Sequence, residues 1–174
     1  VADFGRENFE AVLEKFPGKK VFINETVEQV RANLKALIAD ANMLVDAAVQ
    51  GKLATRADAS KHQGDFRKIV QGVNDTLDAV IGPLNVAAEY VDRIAKGDIP
   101  NKISDSYNGD FNEIKNNINQ LIESMNEITE VAEQIAAGNL MVNVNARSAN
   151  DTLMKALDSM IKGLTDVVIS VKAA

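Results

Sequence analysis

Four stretches of this chain carry apolar residues at alternating steps of three and four. The first reads Val27, Val30, Leu34, Leu37, Ala41, Leu44, Ala48. The second reads Phe66, Val70, Val73, Leu77, Val80, Leu84, Ala87, Val91, Ile94. The third reads Phe111, Ile114, Ile118, Leu121, Met125, Ile128, Ala132, Ile135, and the fourth Leu153, Leu157, Met160, Leu164, Val167, Val171. Steps of three and four average about 3.5, the repeat of helices that wind around one another. Flanking apolar residues such as Ile69, Val86, Tyr90 and Val131 widen the seam beyond what a two-stranded coil uses, which favours a four-helix bundle. The second seam spans 29 residues, about 43 Å of helix. Gly82-Pro83 falls inside it, and a Pro there predicts a kink or local unwinding with a new packing unit on its far side.

Composition fits thin aliphatic seams. Of the 174 residues 46% are hydrophobic but only 5% aromatic, with no Trp. The absence of Cys excludes disulfides and thiolate metal sites, and a single His excludes multi-His sites within one chain. A net charge of -6 argues against non-specific nucleic-acid binding. No apolar run approaches the roughly 18 residues of a membrane span, and the charged opening, Val1 to Lys20, is no signal peptide. The lack of a leading Met suggests a piece of a longer chain.

Three polar connectors separate the seams and resemble one another: Gly51-Lys52-Leu53 to Asp65, Gly97-Asp98-Ile99 to Asp110, and Gly138-Asn139-Leu140 to Asp151. Each opens on a Gly that fits a left-handed helix C-terminal cap. Each has Leu or Ile two residues on, and the second and third add Ile103 and Val144 four further, where the first has Ala57. Each ends in Asp, read here as a helix N-cap. The glycines recur after 46 and 41 residues, so helix–connector–helix is an internal repeat. A loop of about 13 residues is long for an antiparallel hairpin but reaches back along a helix, so the next helix starts parallel to the first. One chain then supplies two parallel helices per unit, and a closed four-helix bundle needs two more from a second copy.

Pro83-Leu84, Val86, Tyr90-Val91, Ile94 and Gly97-Asp98-Ile99 resemble the first helix and connector of a HAMP domain, and Gly109-Asp110-Phe111, Ile114 and Ile118-Asn119 resemble its second helix. The resemblance implies an all-α fold: an elongated parallel homodimer of stacked four-helix HAMP-type bundles joined by continuous helices. It divides the chain into HAMP units at residues 37–82 and 83–123 and a divergent unit at 124–174, after residues 1–36, the C-terminal part of a divergent HAMP-like unit or a linker. The third unit departs in phase, with Ala149 where the helix-opening acid belongs.

The phrases Tyr90-Val91-Asp92-Arg93-Ile94 and Phe111-Asn112-Glu113-Ile114-Lys115 are similar to those of bacterial methyl-accepting chemotaxis proteins with arrays of such units. The implied function is a non-enzymatic signal relay between a sensor domain and the output domain of a chemoreceptor. The implied partners are a second copy, upstream sensor and downstream signalling domains in the same chain, and a histidine kinase and coupling protein acting on the full receptor. No cofactor or metal is expected. The implied location is cytoplasmic, with membership of an inner-membrane-anchored receptor as a further option. A relay segment of a sensor histidine kinase, an extracellular helical filament and a monomeric ligand-binding bundle are the alternatives. The residues assigned to relay and packing are Gly51, Leu53, Asp65, Phe66, Pro83, Gly97, Ile99, Ile103, Asp110, Phe111, Gly138, Leu140 and Val144. The resemblance adds a contact from the helix-opening acid, Asp65 or Asp110, to the first helix of its bundle. His62, alone in a polar loop, is read as solvated. No phosphate-binding loop, nucleophile elbow or carboxylate pair stands out.

Overall fold

A computed structural model describes residue 6 and residues 8–173; residues 1–5 and 7 of the N-terminal segment, and residue 174, lie outside the described residues. The described residues form helices and connectors without a strand. In chain order they are α1 (Val21–Val49), α2 (Gly64–Ala95), α3 (Gly109–Ala136) and α4 (Thr152–Ala173), with short 3-10 turns at Gly18–Lys20 and Ala59–Lys61. Each helix contains one of the four seams, because side chains three and four apart share a helix face. No helix among the described residues is long and apolar enough to cross a membrane.

The helices stop for a common reason. Gly51, Gly97 and Gly138 have φ of 72°, 81° and 79°, the left-handed region that a Cβ disfavours. At each, the glycine N–H donates to the carbonyl three residues back and the next N–H to the carbonyl five back. The pairs are Gly51 to Ala48 and Lys52 to Ala47, Gly97 to Ile94 and Asp98 to Arg93, and Gly138 to Ile135 and Asn139 to Gln134. This is the Schellman pattern, which satisfies carbonyls that a helix end leaves without partners.

Pro83 lies inside α2, and the helix is continuous from Gly64 to Ala95. The expected local unwinding is absent. Pro lacks only its own N–H, so the carbonyl four residues back, at Ala79, loses its helical donor while the rest of the ladder stands.

The chain divides into two compact bodies, Val1–Gly82 and Pro83–Ala174. In the second body, Ile103, Ile118 and Ile122 form a buried cluster against Val86, Ala87, Tyr90, Ile94, Ile99, Tyr107 and Ile114. The end of α2, the connector and α3 therefore share one core. Pro83, Val86 and Ala87 meet Phe111, Ile114 and Ile118 around one cavity, so the start of α3 lies beside residues 83–87 and runs the same way as the end of α2. In the first body, Leu37, Ala41 and Leu44 of α1 meet Ala57, Val70 and Val73 in the same manner. In the first turn of α1, Asn24 straps the N-terminal segment down: its Oδ1 accepts from the Phe16 N–H at 2.8 Å and its Nδ2 donates to the Glu14 carbonyl at 2.7 Å. Arg31 donates to the Ala11 carbonyl, and Lys35 pairs with Glu10.

The core within one chain is thin. Ile122 is the one large side chain below 2% exposure among the described residues. Seam residues Val73, Val80, Leu84 and Val91 on α2 and Leu153, Met160, Leu164 and Val167 on α4 are more than 40% exposed. The buried side chains mostly flank the seam, as Ile81, Ile122, Val131, Met154 and Ile161 do, so within one chain an edge of the seam stays bare.

Candidate functional site

The connectors are fastened to the helices by a device that recurs. Ala57 is 5% exposed and Ile103 7%. A peptide group buried at such a place needs hydrogen-bond partners. Asn74 supplies both in the first body: Oδ1 accepts from the Ala57 N–H at 3.0 Å, and Nδ2 donates to the Ala57 carbonyl at 2.8 Å. Asn119 does the same in the second body, accepting from the Ile103 N–H at 2.7 Å and donating to its carbonyl at 3.0 Å. A primary amide carries one acceptor and one donor side by side, so it matches a backbone residue the way a neighbouring strand would.

An ion pair flanks each amide. Arg56, one residue before Ala57, donates from Nε and Nη2 to Asp78 at 2.9 and 2.6 Å. Lys102, one residue before Ile103, pairs with Glu123. Asp78 and Glu123 each lie four residues after the clamping Asn, on the same helix face. These pairs are exposed enough that each contributes at most about 1 kcal/mol. The buried amide is the stronger tie.

The third connector is held otherwise. Counting from its glycine, Asn143 stands in place of the cation, and by seam phase Asp158 and Lys162 stand in place of Asn and acid. Asp158 and Lys162 pair with each other at 2.6 Å along α4. Val144 is only half-buried, and a cavity of about 640 Å³ opens between Glu127, Glu130, Val131 and Gln134 of α3 and the connector. Docking falls to Asp151, whose side chain is 5% exposed. Its carboxylate accepts from the Arg147 backbone N–H at 3.0 Å, Nε at 2.6 Å and Nη2 at 3.1 Å, and caps α4 through the Met154 N–H at 3.2 Å. The Arg147 side chain, then its backbone N–H, hold this carboxyl well below the usual carboxylate range.

The relay residues read from the sequence take the following places. Gly51, Gly97 and Gly138 end helices as described. Ile103 is buried at the clamp and Ile99 packs on its cluster. Leu140 and Val144 are half-buried, and Leu53 is 43% exposed, so Ala57 is the buried anchor of the first connector. Phe66 and Phe111 are half-buried, and Phe111 shares a cavity with Pro83.

Three readings need correction. Asp65 and Asp110 are not N-caps: α2 and α3 begin one residue earlier, at Gly64 and Gly109, whose φ values of 55° and 54° make the turn into the helix. Asn108 occupies the N-cap of α3 without a side-chain cap bond, leaving Asp110 in the first turn. Nor does Asp65 reach α1; it pairs with Lys68 in its own helix at 2.8 Å. His62 is not solvated. It is 4% exposed, with Nε2 2.6 Å from Oδ2 of Asp40 on α1.

Comparison with known families places these features. Residues 61–127 match the family model described as HAMP domain, a span that holds α2, the second connector and most of α3. Residues 1–35 match HAMP N-terminal domain 3. No solved structure matches the chain. Two HAMP matches on separate stretches, with described residues that form helices and connectors clamped to them, identify the chain as a signalling protein that contains HAMP domains in tandem.

Proposed function

We propose that the chain relays conformational change between a sensor and the output domain of a bacterial chemoreceptor, acting in the cytoplasm as a parallel homodimer of stacked four-helix bundles. Units at 37–82, 83–123 and 124–174 follow a divergent unit or linker at 1–36. HAMP domains are signal-relay modules of receptors, which supports the general role. The observation that carries the dimer is the bare edge of the seam. Val73 and Val80 in the first body, and Leu84 and Val91 in the second, expose apolar surface on α2, and water penalises such surface by roughly 25 cal/mol per Å². Two-fold symmetry brings identical edges together.

The relay would work through a choice between packings. A bundle with two arrangements of similar free energy is biased when an input moves its first helix slightly. Seam Met and Ala residues, such as Met125, Ala132 and Met160, leave room for alternatives. The connector clamps at Ala57–Asn74 and Ile103–Asn119 keep the second helix in register with the connector while this happens. In this reading the relay and packing residues are the thirteen assigned above, with Asn74 and Asn119 added. The full receptor would act on a histidine kinase through a coupling protein.

Because the chain has no Cys, single cysteines give a clean test. Val73→Cys, Val80→Cys and Val91→Cys should each cross-link to their counterparts, while Lys96→Cys, off the seam, should not. Light scattering should return twice 18.8 kDa. A monomer mass would overturn the dimer, and cross-linking rates indifferent to the state of an attached sensor would overturn the relay.

A further inference from the structure

Asp40 and His62 form a tie that the second body builds from different chemistry. Asp40 lies eleven residues before Gly51, and Val86 lies eleven before Gly97. His62 lies three residues before Asp65, and Tyr107 three before Asp110. The two pairs are therefore equivalent positions of the repeat. In the second body both members are apolar contacts, Val86 and Tyr107 packing on the same buried cluster. In the first body the same place holds a carboxylate and an imidazole at 2.6 Å, with the His side chain 2% and the Asp side chain 25% exposed.

We propose that Asp40–His62 is a proton-linked latch, fastening the first connector to α1 more tightly when the imidazole is charged, and that the second connector lacks this response. Histidine is the side chain that changes charge between about pH 5 and about pH 8. An imidazolium facing a carboxylate makes a charge-assisted bond, roughly twice as strong as the neutral one. Loss of the proton leaves the ring able to donate through Nε2 but removes the charge, so the latch loosens without breaking. The tautomer then required is the one with its hydrogen on Nε2.

The surrounding charges do not replace Asp40. Asp58, at the start of the 3-10 turn, accepts from the Ser60 N–H and hydroxyl. These bonds first, and Lys61 and His62 to a smaller degree, hold its carboxyl below the usual range. From α2, Arg67 donates to the Ala59 and Ser60 carbonyls and so braces the turn rather than the ring. Lys61 precedes the ring in the chain and lies within 3.9 Å of Asp58. Asp40 is the group of α1 that meets the imidazole. The latch closes at the point where connector, first helix and start of the second helix converge.

The two clamped amides provide an internal comparison. Ala57 and Ile103 each donate to an Asn side chain, but only Ala57 lies in a connector fastened by His62. Hydrogen exchange on the whole chain, corrected for the intrinsic pH dependence of exchange, should show the Ala57-to-Ile103 protection ratio falling about fivefold between about pH 5.5 and about pH 8. His62→Gln keeps a donor without the titration and should flatten that ratio. Should His62→Gln fail to fold, Asp40→Asn, which keeps size and an acceptor, should shrink the fall. A ratio constant with pH in the unaltered chain, or an undiminished fall in His62→Gln or Asp40→Asn, overturns the latch. As a regulatory input the latch rests on the relay reading. Exchange at Ala57 reports connector docking alone, so failure of the latch leaves the relay standing, and failure of the relay leaves the latch.

Discussion

Replacing Asn119 by Ala would remove both hydrogen bonds to Ile103 while leaving its peptide group buried. The N–H···Oδ1 bond is 2.7 Å and the Nδ2–H···O bond 3.0 Å, on a residue 7% exposed. A buried group stranded in this way costs about 1–3 kcal/mol. Two groups, with water reaching them in part, suggest about 3 kcal/mol in total. That corresponds to a loss of amide protection at Ile103 on the order of 100-fold. For a body of this size the thermal midpoint should fall by roughly 12–24 °C, at about 4–8 °C per kcal/mol. The assays are hydrogen exchange resolved at Ile103 and thermal unfolding followed by circular dichroism. Ala57, in the other compact body, should keep its protection and so report that the chain is still folded. Asn119→Asp makes the finer test. It retains an acceptor for the Ile103 N–H but sets a carboxylate oxygen against the Ile103 carbonyl, so it should be no better than Ala. Protection at Ile103 within about threefold of the original in Asn119→Ala would refute the reasoning, since the amide would then be contributing under about 1 kcal/mol.

Other outcomes follow from the same geometry. Gly97→Ala should destabilise the second body by about 1–2 kcal/mol in denaturant unfolding, from the positive φ alone, because nothing lies within 4 Å of the added Cβ; Gly97→Asn should cost less. Pro83→Ala should restore a donor to the Ala79 carbonyl and slow exchange around it, raising helix stability by up to about 3 kcal/mol. The carboxyl of Asp151 is depressed in the folded state, so its stabilisation is present above the ordinary Asp value of about 3.9 and is lost as pH falls through that value and below. Fraying of α4, read by exchange at Met154, should therefore increase between about pH 5 and about pH 2, and Asp151→Asn should flatten this dependence.

The helices were legible because a seam of threes and fours encodes one face of a helix without regard to what covers it. The glycines were legible because a residue at positive φ leaves few choices, and all three ended their helices as Schellman caps. Asn74 and Asn119 escaped notice as clamps because Asn on a helix reads as polar surface. The usable signal was positional: each stands nine residues after the connector's last Asp, with an acid four residues further and a cation just before the anchor. The misplaced caps have a comparable cause. In Gly64-Asp65 and Gly109-Asp110 the acid invites an N-cap reading, but the glycine's backbone already begins the helix. His62 was hidden because its partner, Asp40, is 22 residues away, and a lone acid beside the apolar seam of α1 reads as solvated surface. The third connector's irregular phase was visible in Ala149, and the structure shows its physical content: a salt bridge at the start of α4 replaces the amide.

The amide clamp is blind to the side chain that it holds. Asn74 grips Ala57 and Asn119 grips Ile103 through the same two peptide atoms. A connector fastened by its backbone is free to drift in composition, keeping its path while its residues change. Each copy of the repeat can then acquire its own chemistry at neighbouring positions, as a histidine here and a tyrosine there, without renegotiating how the strap is tied down.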